Sequence, residues 1–134
     1  MSAVLVDSNI LLDLFTRDRT WFAWSRDNLE RLGSSKTLVI NPIIYAEVSV
    51  HFATVEELDA AFLPTQFRRE PIPFDAAFLA GKVFARYRKR GGSRVAPLPD
   101  FFIGAHAAIA GYTLLTRNAR DYRRSYPKLD IVAP

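Results

Sequence analysis

The chain contains no cysteine, and that absence removes disulfides, iron–sulfur clusters and thiolate zinc sites together. Histidine is nearly as scarce. With only His51 and His106 a His-rich metal site is excluded, so any metal here would be held by oxygen. Long apolar runs are missing as well: the tract from Phe101 to Leu115 is broken by His106, Gly104 and Gly111 and falls short of the ~20 residues of a membrane span. No basic segment precedes the first apolar run, and Asp7 interrupts that run, so it does not resemble a secretory signal. Repeats and low-complexity stretches are absent too. A cytoplasmic protein with no membrane partner is the expectation.

What is present fits one globular domain over residues 1–134, with 49% hydrophobic and 24% charged residues. A chain of this length can bury about two-thirds of its unfolded surface, enough for a core without staples. The formal net charge of +4 favours polyanionic partners, because Lys and Arg release counterions from phosphates, although many small proteins are mildly basic for no such reason. The cations gather at Arg86 to Arg94 and at Arg117 to Lys128, with tyrosines between them, whereas the acids are scattered. Tyrosine among arginines suits single-stranded nucleic acid; it suits a solvated helix face equally.

The pattern along the chain is that of an α/β protein. Ala3 to Val6 reads as a buried strand, and Asp7, Ser8 and Asn9 then hand over to an apolar helix opening at Ile10. A second helix carries Trp21, Phe22, Trp24, Leu29 and Leu32 and ends at Gly33; Thr37 to Ile40 is a second strand. Asn41-Pro42 starts a helix bearing Glu47, and another helix runs from Val55 to Leu63. Pro71 to Pro73 suggests an edge strand, since prolines forbid a central one. Phe74 to Arg90 is a long helix closed by Gly91-Gly92, and Pro97 to Pro99 leads into a helix from Asp100 to Ala110 that is apolar on most sides. Strands at Thr113 to Thr116 and Asp130 to Val132 complete a mostly parallel sheet with helices on both faces.

Three acids then deserve comparison. Glu47 shares a helix face with Ile43, Ile44, Val50 and His51 and so points toward the apolar side, where it needs either an arginine partner or a metal. Asp7 and Asp100 each stand where a helix cap would be chosen anyway. Asn118 and Asp121 follow the Thr113 strand and are either polar loop residues or further members of the same rim. Jointly, however, Asp7, Glu47 and Asp100 lie on elements that a parallel sheet gathers at one edge. Carboxylates brought close repel unless a cation sits between them, and hard oxygen donors select Mg²⁺ or Mn²⁺.

The stretches VLVDSNILLD, NPIIYAEV around Glu47, LPDFFIGAHA around Asp100 and GYTLLTRNARDY are the family-like part of this sequence. In that order and spacing the chain resembles the PIN-domain ribonucleases, most closely the VapC-like toxins of bacterial toxin–antitoxin pairs. The resemblance covers nearly the whole chain. It implies a PIN-like three-layer α/β/α fold with a central parallel sheet of about five strands, and a Mg²⁺- or Mn²⁺-dependent endoribonuclease that forms a homodimer and is silenced by an antitoxin protein. Carried over by position, Asp7, Glu47 and Asp100 form the acidic core, with Asp7 and Asp100 as metal ligands. Ser8, Asn9 and Thr116 support them. Asn118 departs from the family, which often has aspartate there; Asp121 is a candidate replacement. Arg117, beside the site, is either an RNA phosphate contact or a solvent-facing cation.

The expected chemistry is metal-assisted phosphodiester cleavage, with Glu47 orienting or deprotonating the attacking water. Two other readings compete with it. One is a non-catalytic RNA-binding module that kept the scaffold, for which Asn118 is the best support. The other is a phosphatase of another α/β family, disfavoured because position 9 is Asn9 rather than a second aspartate. Trp21, Phe22 and Trp24 are either plain core or one wall of a groove for an apolar peptide.

Overall fold

A computed structural model of the protein describes residues 3–62, 66–91 and 98–134. The elements run β1 (Ala3–Val6), α1 (Ser8–Phe15), α2 (Phe22–Gly33), β2 (Thr37–Ile40), α3 (Pro42–Ser49), α4 (Val55–Ala61), β3 (Phe67–Arg69), α5 (Phe74–Lys89), α6 (Leu98–Ala110), β4 (Thr113–Leu115), α7 (Ala119–Ser125) and β5 (Ile131–Val132). That is the order the sequence predicts. All five strands pair in parallel, in the spatial order β3-β2-β1-β4-β5. With this strand order, the right-handed rule for parallel crossovers assigns α1 to α4 to one face of the sheet and α5 to α7 to the other, consistent with three layers.

Local chemistry sets several boundaries. Asn41 accepts from the Ile44 backbone N–H at 2.9 Å and Pro42 occupies the first turn, so α3 starts as a capped helix should. Thr54 caps α4 in the same way, accepting from Glu57 N–H at 3.1 Å. Gly111 ends α6 at φ 73°, a left-handed conformation that glycine adopts without strain.

Several boundaries depart from the sequence reading: α1 begins at Ser8 rather than Ile10, β4 ends at Leu115 and β5 starts at Ile131. The edge strand is Phe67–Arg69, not Pro71 to Pro73, because the ladder needs N–H groups that prolines lack; Glu70 N–H makes its last bond, to Ile40 O at 2.9 Å. Helix α6 begins at Leu98, with Pro99 in its first turn where a missing N–H does no harm. Asp100 therefore lies inside the first turn and is not the cap. The expected helix end at Leu63, together with Gly92 and Pro97, lies outside the described residues.

Central strands are buried on both sides, so Val4, Leu5, Val6, Val39, Leu114 and Leu115 are continuously apolar rather than alternating. Helix α6 is sandwiched: Ile103 and Ala107 join the sheet core, while Phe101 and Ala105 pack against Ala76, Ala80 and Val83 of α5. This double burial explains a helix apolar on most sides. His106 is buried there too; its Nδ1 accepts from the Asn41 side-chain N–H at 3.0 Å, and its Nε2 faces Glu70 Oε1 at 3.4 Å, tying α6 to the end of β2. Nδ1 is thus engaged in structure, whereas Nε2 is buried without a hydrogen bond among the described residues, within ion-pair range of Glu70. Among the described residues no helix is long and apolar enough to cross a membrane.

One glycine controls how closely α7 approaches α6. A Cβ at Gly104 would stand 2.5 Å from Tyr126 Cε2 and 3.2 Å from Tyr122 Cδ1, so two aromatic rings rest on the bare backbone. We expect Gly104→Ala to lower stability by about 1–3 kcal/mol, read as a shift in the urea midpoint.

Candidate active site

Strand order reverses between β1 and β4, and the crevice beyond their carboxyl ends is where such sheets bind ligands. Asp7 leaves β1 at this point, its N–H donating to Leu115 O at 2.9 Å, so the backbone that carries it continues the sheet ladder. Asp7 also caps α1. Its carboxylate is only 3% exposed and is held by donors from three elements. Oδ1 accepts from Ser8 N–H at 2.8 Å; Oδ2 accepts from Thr116 Oγ1 at 2.7 Å, Tyr122 Oη at 3.1 Å and Asn9 Nδ2 at 3.4 Å. Burial still wins, and the Asp7 pKa is raised.

The other two acids arrive from separate helices. Glu47, half-buried on α3, accepts from Ser8 Oγ at 2.8 Å through Oε1. Its pKa is raised by burial, and further by the Asp7 charge, against the lowering effect of the Ser8 hydrogen bond. Asp100, in the first turn of α6, accepts from Tyr122 Oη at 3.3 Å. Burial pushes its carboxyl up to about 7, with the charges of Asp7, Glu47 and Asp121 adding to the effect. Three acids from three elements thus share one electrostatic field. Among the described residues, however, no three acidic or histidine side chains converge closely enough to enclose an ion as a preformed cage.

The polar supports form a connected set. Asn9 Nδ2 reaches Thr116 Oγ1 at 3.3 Å, its Oδ1 accepts from Arg117 N–H at 3.2 Å, and Asn118 N–H donates to Thr116 Oγ1 at 3.0 Å. The turn after β4 is thereby stitched to the start of α1. A PIN domain sequence model matches residues 4–126. The chain belongs to the PIN domain family. Solved structures agree in fold: VapBC2 of Rickettsia felis bound to a promoter DNA fragment (20% identity, TM-score 0.75, 98% of each chain covered) and a toxin–antitoxin complex from Klebsiella pneumoniae (25% identity, TM-score 0.71, 98% of each). Mycobacterium tuberculosis VapC20, a toxin that cleaves the sarcin–ricin loop, is similar too, at 18% identity and TM-score 0.69 over 98% of this chain and 100% of that one. A comparison with curated protein sequences finds no match.

Several PIN-domain positions differ from their sequence reading. Arg117 is neither solvent-facing nor free for phosphate: its Nε and Nη2 meet the two oxygens of Asp13 at 2.8 and 3.0 Å, and its guanidinium lies 5.1 Å from the Trp21 ring centroid. Asp13, 2% exposed, also accepts from Ser25 Oγ at 2.6 Å and so requires that cation. Asn118 is exposed and contributes its backbone to Thr116, while Asp121 is exposed but charged and close enough to act on Asp100. On α3, Val50 is 80% exposed and His51 lies beyond the helix end, so Glu47 does not share a buried face with them. Trp21, Phe22 and Trp24 are half-buried. None lines the broad cleft of about 910 Å³ bordered by Leu11, Leu14, Phe15, Arg26, Leu29 and Leu38.

Tyr122, whose hydroxyl meets both Asp7 and Asp100, is the site residue that sequence reasoning did not single out. It is 2% exposed, and burial with the charges of Asp7 and Asp100 holds its hydroxyl well above the usual range, protonated and able to donate. The available signal was its place three residues after Ala119 on one helix face, where a buried tyrosine must find a partner for its hydroxyl.

Two outcomes follow. Arg117→Met leaves Asp13 buried with only Ser25 and should destabilise by about 3 kcal/mol in urea unfolding, a cost that a solvent-facing arginine would not show. The folded chain also holds the Asp100 proton more tightly than its ordinary value of 3.8, so the stability this group provides is present at acid pH and lost as pH rises through about 7. The metal-free thermal midpoint should therefore fall more between about pH 5.5 and pH 8 in the wild type than in Asp100→Asn.

Proposed function

We propose that this protein is a divalent-metal-dependent endoribonuclease and the toxin of a toxin–antitoxin pair. The observation that carries the reading is the pair Asp7 and Asp100 at the switch point, drawn together by one tyrosine hydroxyl although their charges repel. The donor set fits a hard cation: carboxylate oxygens, no sulfur, and a histidine engaged elsewhere. Two carboxylates without a closed cage suit Mg²⁺ or Mn²⁺, since Mg²⁺ keeps several of its waters. Asp7 and Asp100 would hold the ion, with Asp121 rather than Asn118 as the additional acid because only it brings charge to Asp100. When bound, the ion supplies Lewis acidity at the scissile phosphate.

This chain's own residues supply the rest. Ser8 fixes one oxygen of Glu47 and leaves the carboxylate facing the site, and a raised pKa makes it a better proton acceptor for the attacking water. Thr116 and Asn9 keep Asp7 in one orientation. The substrate is RNA, attracted by the exposed basic side chains Arg120, Arg123 and Arg124 of α7, the helix that carries Tyr122. An antitoxin protein completes the reading, supported by the toxin–antitoxin complexes among similar structures; a homodimer and a cytoplasmic location are what the family resemblance adds to it.

Asn118 favours one alternative, an RNA-binding PIN domain without turnover. Both readings predict RNA retention; only the nuclease predicts cleavage of defined RNAs that requires Mg²⁺ or Mn²⁺ and stops with EDTA. Asp7→Asn and Asp100→Asn should each reduce that cleavage by about a hundredfold or more, and Glu47→Gln by about a hundredfold. Undiminished cleavage in the aspartate variants would overturn the assignment.

A further inference from the structure

Asp7 and Asp100 are supported very unequally. Asp7 accepts four hydrogen bonds, from Ser8, Asn9, Thr116 and Tyr122, so no one of them is its sole support. Asp100 has a single hydrogen-bond partner among the described residues, Tyr122. It also experiences the repulsion of Asp7, Glu47 and Asp121, which favours a rotamer turned away from the site. Nothing else described on α6, α7 or the sheet opposes that turn with a hydrogen bond.

The tyrosine is well placed to oppose it. Its ring is fully buried on α7, and its approach to α6 depends on Gly104, which lies one helical turn from Asp100 on the same face. The bare backbone at Gly104 admits the ring, with a Cβ there falling 3.2 Å from Tyr122 Cδ1, and the hydroxyl then emerges between the two carboxylates at 3.1 and 3.3 Å. The phenol shares its single proton between Asp7 Oδ2 and Asp100 Oδ1, and Asp100 Oδ2 accepts no hydrogen bond from the described residues, which leaves it open to a cation. Hydrogen-bond partners of ligating carboxylates have this role in metal sites generally, orienting the ligand before the ion arrives.

We propose that Tyr122 is the positioning residue that makes a divalent-ion pair of Asp7 and Asp100, acting through Asp100. The proposal rests on the nuclease reading of the acids, and the test separates the two. Mn²⁺ binding to the intact wild-type chain, followed by electron paramagnetic resonance of the free ion, examines that reading alone: no binding removes the metal site and the proposal with it. With binding established, Tyr122→Phe retains the buried ring and should raise the Mn²⁺ dissociation constant about tenfold or more. RNA cleavage should recover close to the wild-type rate at saturating Mn²⁺, with the half-saturating concentration shifted by the same factor. A purely structural loss would instead lower the rate at every Mn²⁺ concentration.

The double variant Tyr122→Phe with Asp100→Asn keeps the test open if the single variant unfolds, since it removes one of the repelling charges. Its Mn²⁺ dissociation constant should equal that of Asp100→Asn, because a residue acting through Asp100 has nothing further to lose. A change below about fivefold in the single variant, tighter binding in it, or a further weakening in the double variant overturns the proposal.

Discussion

The structure depends on one buried carboxylate. Asp7 is taken out of water at the end of the central strand, and a bare charge there would be expensive enough to neutralise itself or unfold the chain. Its four donors come from α1, from the turn after β4 and from α7, so satisfying that single group fixes three otherwise independent segments relative to one another. The backbone bond from Asp7 to Leu115 anchors the same corner to the sheet. Fold and site share this constraint: the elements that bury the acid are those that build the crevice.

Around that corner the electrostatics are deliberately opposed. Glu47 and Asp100 are brought toward Asp7 although its charge raises the cost of ionising both, and the hydroxyls of Ser8, Thr116 and Tyr122 hold the three acids there. Such an arrangement costs stability and would be relieved by positive charge. Outside it, Asp13 and Arg117 show the contrasting solution, a buried acid matched at once by its own cation, with Trp21 covering the guanidinium. Asp7, which caps α1, and Asp13, which lies within it, thus have different fates. Asp13 is satisfied within the fold; Asp7 and its neighbours are left with unspent charge, which is where chemistry is expected.

Much of this was legible in the chain. Continuous apolar runs at Val4 to Val6 and Leu38 to Ile40, and the buried Thr113 to Leu115, identify buried parallel strands, and Asn41-Pro42 and Gly111 mark a helix start and a helix end by backbone chemistry alone. Asp7, Glu47 and Asp100 were recognisable as candidates because acids at the ends of buried elements are costly. Arg117 was misread because its partner lies 104 residues away, beyond any local pattern. Tyr122 was overlooked because it stands among arginines, where a tyrosine has an ordinary surface explanation. The edge strand was misplaced by two prolines that signal an edge without saying which neighbouring residues form the ladder.

What the sequence determined by itself is the local part: where strands and helices form, which faces they bury, and that no cysteine or histidine cluster can bind metal. Those properties follow from periodicity, caps and composition, all written within a few residues. Tertiary structure decided the rest. Strand order placed Thr116 beside Asp7; the close approach of α7 at Gly104 put a hydroxyl between Asp7 and Asp100; and a distant Asp13 claimed Arg117. Each is a through-space relation between segments far apart in the chain, set by how buried charge finds partners once the core has closed.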